Sequence, residues 1–252
     1  MCTVTYFPVT RSSFIITQNR DEHYSRPQAT PPQISQIEGR SLLFPKDPTG
    51  NGTWMCASQG RVVCLLNGAF GPHIFMPPYK KSRGLVVLDS FNHPNALQFA
   101  SEYDFTDIEP FTMIWLQQQK SDTRMFRGNR HEWELHEIKW DGNERYHQQH
   151  DAGNSYIWSS ATLYSNDMHA KRIKWWTDWQ KNELKNFPDD VLRFHHNGGD
   201  GDKRTDVCMN RGDIISSVSI SSIFFDKDFT FYYEDLKQKI KSETKLMVEP
   251  TI

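Results

Sequence analysis

Short runs rich in apolar, β-favouring residues and bounded by polar turns dominate both ends of the chain, and they predict β-structure. Residues 3–7 and 13–18 form two such runs separated by 8–12, the pattern of a strand, a turn and a second strand. The second run empties into the polar tetrapeptide Asn19-Arg20-Asp21-Glu22. Arg26-Pro27 and Pro31-Pro32 then predict an extended, non-helical connection. Residues 53–58 and 61–67 flank Gln59-Gly60 as a second hairpin. Its apolar Val62, Val63, Leu65 and Leu66 suit a buried strand that ends at Asn67-Gly68. Further strands are predicted at 112–117, 123–127 and 131–140. A third hairpin, 218–225 with 229–233, turns at Asp226-Lys227-Asp228, and the last residues read as frayed.

Helical patterning occupies the middle of the chain. Residues 82–91 and 95–102 read as two short helices, with Pro94 ahead of the second. The longest helix is predicted at 166–186, with Ile173, Trp176 and Leu184 sharing a face and Pro188 after its end; Trp175, Trp176 and Trp179 are expected to pack. Because most strand connections are hairpins, the class is α+β: a four-layer αββα sandwich of two antiparallel sheets flanked by helices. No repeat, low-complexity tract or compositional break divides residues 1–252, which read as one domain.

Composition narrows the function. Hydrophobic residues make up 37% of the 252 and aromatic residues 13%, enough for a sizeable core. A formal charge of -2 gives no attraction for a polyanion, so nucleic acid is not an expected partner. The four cysteines, Cys2, Cys56, Cys64 and Cys208, contain no CxxC pair; neither a disulfide scaffold nor a zinc site is indicated, and a reducing compartment fits. Apolar stretches such as 62–66 are too short to span a bilayer and no leader precedes a cleavage site. A cytoplasmic protein without a transmembrane segment is therefore expected.

The chemistry lies at the start. Removal of the initiator Met would leave Cys2 with a thiol and a free α-amine on one residue. An α-amine titrating at about 7.7–8.0 serves as a base near neutrality without any histidine. A guanidinium such as Arg20 would favour the thiolate, and Asp21 would orient the α-ammonium. Cys2 and Arg20 lie near opposite ends of a hairpin's two strands, a spacing that allows them to sit side by side. An acyl transfer also needs a donor to the oxyanion, and the side-chain amide of Asn67, at the end of a buried strand, is of the right type. Each residue alone has a plainer reading. Cys2 can be an inert buried residue, Asn67 a turn former before Gly68, and Arg20 with Asp21 a surface ion pair.

Taken together, Met1-Cys2, Asn19-Arg20-Asp21-Glu22, Tyr24-Ser25-Arg26-Pro27, Gly52-Thr53-Trp54 and the strand ending in Asn67 resemble the NRDE family, also called the transport and Golgi organisation protein family. That family is in turn similar to N-terminal-nucleophile hydrolases of the bile-salt hydrolase and penicillin V acylase type. The resemblance implies an αββα fold and hydrolysis of linear non-peptide carbon–nitrogen bonds. It makes Cys2 the nucleophile, Arg20 and Asp21 the polar pair beside it, and Asn67 the oxyanion donor, with Asn19, Glu22 and Trp54 completing the motifs. The family's usual Ser-Asn-Ala appears as Ser159-Ser160-Ala161, so Ser160 replaces a second oxyanion Asn. Residues 218–225 lack an arginine that the corresponding family strand often bears. A non-catalytic haem or lipid carrier or trafficking factor is the alternative that the resemblance allows.

Expected ligands are a small acyl amide or a lipid-like molecule in an aromatic-lined apolar pocket over Cys2. No cofactor or metal is expected, and the oligomeric state stays open. His195 and His196 with Asp200 and Asp202 read as a solvated loop rather than a metal site. Residues 198–202 lack nucleotide-binding spacing. His73, His93 and Met76 are available as haem ligands, without a CxxCH motif.

Overall fold

The computed structural model describes residues 2–119, 132–182, 186–212 and 214–248. The predicted strand at 123–127 and the position of Leu184 lie outside them.

The first hairpin pairs β1 (Cys2–Pro8) with β2 (Phe14–His23). β2 does not stop before the tetrapeptide. It runs through it to His23, because β11 (Ile215–Phe225) supplies main-chain partners along its other edge, from His23↔Ile215 to Phe14↔Phe225. Two antiparallel sheets result. The first has the order β10-β1-β2-β11-β12-β13, with β10 (Tyr156–Ser159), β12 (Phe229–Asp235) and β13 (Ile240–Leu246). The second runs β3-β4-β5-β6-β7-β8-β9: β3 (Thr30–Ile37), β4 (Arg40–Lys46), β5 (Met55–Ser58), β6 (Arg61–Asn67), β7 (Phe111–Gln118), β8 (Trp133–Trp140) and β9 (Arg145–His150).

Side-chain alternation assigns each strand two faces. Cys2, Val4, Tyr6, Phe14 and Ile16 from the first sheet meet Leu43, Met55, Val62, Cys64 and Leu66 from the second in a core between the sheets. On the outer face of the second sheet, Val63, Leu65, Met113 and Trp115 pack with α1 (Arg83–Asp89) and α2 (Ala96–Glu102). A 3-10 turn, Ser90–Asn92, joins these helices, and the Asn95 side chain caps α2 by accepting from Gln98 N at 2.9 Å. On the outer face of the first sheet, Ile15 packs with Trp176 of α3 (Asn166–Gln180) and with Val191 and Phe194 of α4 (Asp189–Asn197). The result is an α+β sandwich with two helices outside each sheet.

Several elements depart from the sequence reading. The connection after Arg26-Pro27 folds as the β3–β4 hairpin; Pro31 and Pro32 are tolerated because β3 is an edge strand with irregular register between Thr30 and Gln33. Residues 240–246, for which the sequence predicts no strand, form β13, paired with β12 from Phe229↔Leu246 to Asp235↔Ile240, and residues 249–252, where the chain reads as frayed, lie outside the described residues. In α3 the buried positions are Arg172 and Trp176, one turn apart, while Ile173 is exposed. Pro188 begins α4 instead of merely following α3.

Candidate functional site

Cys2 and Arg20 are Cα partners in the β1–β2 register, so their side chains leave the sheet on the same face. Both are buried at the wall of a cavity of about 300 Å³ that Asn67 also lines. The Arg20 guanidinium lies 4.3 Å over the Trp54 ring, donates to Asp47 Oδ1 at 3.1 Å and sits 3.7 Å from Glu22. Arg26 grips the same carboxylate as a fork, Nε to Oδ1 at 3.1 Å and Nη2 to Oδ2 at 2.6 Å. Burial would raise the Asp47 carboxyl. The Arg26 hydrogen bonds, the charges of Arg20 and Arg26 and the Gly50 N–H overcome that and hold it below the usual carboxylate range.

Loop closure places these groups. Asp47 N bonds Gly52 O at 2.9 Å, and Thr53 N bonds Gly84 O at 3.1 Å, which draws the loop after β4 onto the start of α1. The approach needs a glycine: a Cβ at Gly52 would lie 2.2 Å from the Gly84 carbonyl carbon. Arg83, the first residue of α1, thereby enters the cavity. It pairs with Glu109 at 3.0 Å and donates to Pro110 O at 3.1 Å, and burial lowers its pKa from the ordinary arginine value.

Alternation splits the tetrapeptide between the two faces. Arg20 and Glu22 face the cavity; Asn19 and Asp21 face the helices. The plainer reading of Arg20 with Asp21 as a surface ion pair is corrected here. Both residues are buried, and they lie on opposite sides of the sheet. Asp21 accepts from Ser217 Oγ at 2.6 Å and Tyr164 Oη at 3.0 Å, with Arg172 lying 3.8 Å over the Tyr164 ring. Burial raises its pKa, against the opposing effects of the Ser217 hydrogen bond, the amino-terminal charge, Arg172 and Tyr164.

Asn19 ties β2 to α4. Its amide donates to His195 O at 3.0 Å and Val207 O at 3.2 Å, so its Oδ1 is left to accept from His195 Nδ1. The proton is then on Nδ1, and Nε2 accepts from Thr5 Oγ1 at 2.7 Å. Burial, reinforced by His196 and Arg172, pushes the His195 pKa down to about 3, which keeps the ring neutral.

The family described as Transport and Golgi organisation 2 matches residues 1–193. The chain belongs to this family. No curated protein matches it. The segment matched to the Transport and Golgi organisation 2 family contains every residue of the cavity wall, but it is not a separable unit, since β11 from outside the segment pairs along the whole of β2.

Within the matched segment, β10 brings Ser160 beside Cys2, with Ser160 N bonding Cys2 O at 2.9 Å. The Ser160 hydroxyl donates to Asn67 O at 2.7 Å and so ties the two sheets together. The Asn67 side chain makes no hydrogen bond to another described residue. The candidate haem ligands serve elsewhere: His73 bonds Glu109 at 3.0 Å, His93 packs against Phe99 and Tyr103, and Met76 is exposed. His196 bonds Glu234 at 3.0 Å. Among the described residues no group of three or more His, Cys, Asp or Glu is placed to hold a metal ion, and no helix is long and apolar enough to cross a membrane.

Asp47, Arg83 and Glu109 were not singled out from the sequence. They come from loops and a helix start far along the chain, and only Arg26, in the quoted Tyr24-Ser25-Arg26-Pro27 motif, carried a local signal. The cavity is also not the aromatic, apolar pocket expected over Cys2. Of its lining side chains only Cys2, Trp54 and Leu65 are apolar, and Trp54 is covered by Arg20.

Proposed function

We propose that the chain is an N-terminal-cysteine amidohydrolase that opens linear non-peptide amides through a Cys2 acyl-enzyme. The observation that carries this reading is the side-by-side placement of Cys2 and Arg20 on a cavity that Asn67 also lines. Two antiparallel sheets with helices outside both, and the nucleophile at the first position of β1, support the likeness to N-terminal-nucleophile hydrolases.

With Met1 removed, the α-amine takes the Sγ proton and sulfur bonds to the amide carbonyl carbon, while Asn67 Nδ2–H donates to the developing oxyanion. The carbon–nitrogen bond breaks as the α-ammonium returns its proton to the leaving amine. Water then attacks the thioester, releasing the acid and restoring the thiol. Asp21 follows Arg20 in the β1–β2 register and so sits at the amino end of β1, where its charge favours the α-ammonium; Tyr164 and Ser217 position it. Hydrolysis of a small-amide panel tests the reading. Cys2→Ala is expected to abolish turnover and Asn67→Ala to reduce kcat by about 10²–10³. Wild-type activity retained by Cys2→Ala would overturn it.

A second reading, a non-catalytic haem or lipid carrier, draws on the Ser160 hydroxyl being engaged by Asn67 O, which leaves one side-chain donor for an oxyanion instead of two. Cellular function surviving intact in Cys2→Ala would favour it.

A further inference from the structure

The cavity over Cys2 is walled by equal numbers of opposite charges: Arg20, Arg26 and Arg83 against Glu22, Asp47 and Glu109. An alkyl chain placed here would strip water from these groups and offer no hydrogen bond in return, which is unfavourable. A ligand of net charge would leave one wall group without a counter-charge. A net-neutral ligand that itself carries both charges avoids both penalties.

Two wall groups have capacity for such a ligand. Glu22 lies 3.7 Å from Arg20 and 3.5 Å from Arg26, beyond hydrogen-bond length, so its oxygens retain acceptor capacity. Arg83 engages Pro110 O and Glu109 through its two terminal nitrogens. With five N–H groups in all, it has donors left over. By contrast the Asp47 carboxylate is saturated by Arg20, Arg26 and Gly50 N. A cavity of about 300 Å³ stands at the small end of ligand sites and limits the ligand to a short chain.

We infer that the Cys2 site takes a short zwitterionic amide, an α-amino-acid head carrying a distal linear amide, whose carboxylate docks on Arg83 and whose ammonium docks on Glu22, and that it rejects fatty-acyl and sterol-like amides. The inference rests on Cys2 being the nucleophile of the proposed hydrolase.

The test is labelling of the full chain, followed by peptide-resolved mass spectrometry. Three electrophiles are compared: iodoacetamide, a diazoketone on an α-amino-acid head (6-diazo-5-oxonorleucine), and the same diazoketone on a decanoyl chain. The amino-acid probe is expected to label Cys2 saturably and at least about tenfold more efficiently than the decanoyl probe. Glu22→Gln and Arg83→Gln are each expected to reduce that preference about tenfold, the effect of one charge-assisted contact. Equal or faster decanoyl labelling, or a preference untouched by either variant, overturns the inference while leaving Cys2 a nucleophile. If iodoacetamide itself fails to reach Cys2, the nucleophile reading falls. Calorimetric titration of Cys2→Ala with glutamine then decides the ligand class separately. Saturable heat that Glu22→Gln weakens supports a zwitterion, and absence of heat overturns it.

Discussion

Arg20 and Asp21 are neighbours in sequence and stand on opposite faces of one sheet, Arg20 against Trp54 and Asp47 in the Cys2 cavity, Asp21 against Tyr164 and Ser217 beneath α3. One tetrapeptide thus builds two things: a wall of the cavity and the attachment of the helical layer behind it. Changes to the rear face should therefore act first on stability.

Tyr164→Phe tests the rear face. It leaves the buried Asp21 carboxyl with one donor fewer and is expected to destabilise the fold by about 1.5–3 kcal/mol in urea unfolding. A loss below about 0.5 kcal/mol would contradict the assigned hydrogen bond.

Acid should destabilise the protein through His195. An unfolded chain binds a proton at this residue near pH 6.5, whereas the folded chain does so only near 3. Its folded value is depressed. Its contribution to stability is therefore complete above about pH 6.5 and is lost as pH falls toward 3, at a limiting slope of about 1.4 kcal/mol per pH unit. Asp21, raised by burial, titrates with the opposite sign, so the measurement compares wild type with His195→Gln, both of which keep it. Wild type is expected to lose stability faster between pH 6.5 and 4.5; parallel curves would contradict a neutral buried His195.

Gly52→Ala probes the contact that brings Arg83 to Cys2. The added methyl meets backbone at 2.2 Å, and a loss of about 1–3 kcal/mol is expected, with a lower melting temperature and a weakened preference for the amino-acid probe. Gly71→Ala, where a Cβ meets nothing within 4 Å, is the matched control, with an expected effect within about 0.5 kcal/mol.

Which elements were legible in the sequence has a physical pattern. Among the described residues the predicted strands lie in sheet interiors, where burial imposes apolar runs, as at Val62 to Leu66 in β6. All four edge strands were unpredicted, along with the interior β4. β9 reads Arg-Tyr-His-Gln-Gln-His, β13 alternates charge with polarity, β3 carries Pro31-Pro32, and β10 is only four residues long. Edges avoid the patterns that mark strands, since an apolar open edge invites pairing with other chains. At the site, Cys2, Arg20 and Asn67 were legible because each lies at or just outside the end of a predicted strand. The split between Arg20 and Asp21 followed from the strand continuing through the tetrapeptide, which only the pairing with β11 reveals. Asp47, Arg83 and Glu109 reach the cavity through tertiary closure at Gly52 and Gly84, for which no local periodicity exists.

The central claim is that Cys2, as the first residue, presents both thiol and α-amine to the charged cavity. Peptide-resolved mass spectrometry of the protein isolated from its own cells, alkylated with iodoacetamide while folded, tests it most directly. The account predicts an amino-terminal peptide beginning at Cys2 and alkylated on its sulfur, with the buried Cys56 and Cys64 unmodified. An amino terminus that retains Met1, or a Cys2 as inert as Cys56 and Cys64, would contradict it.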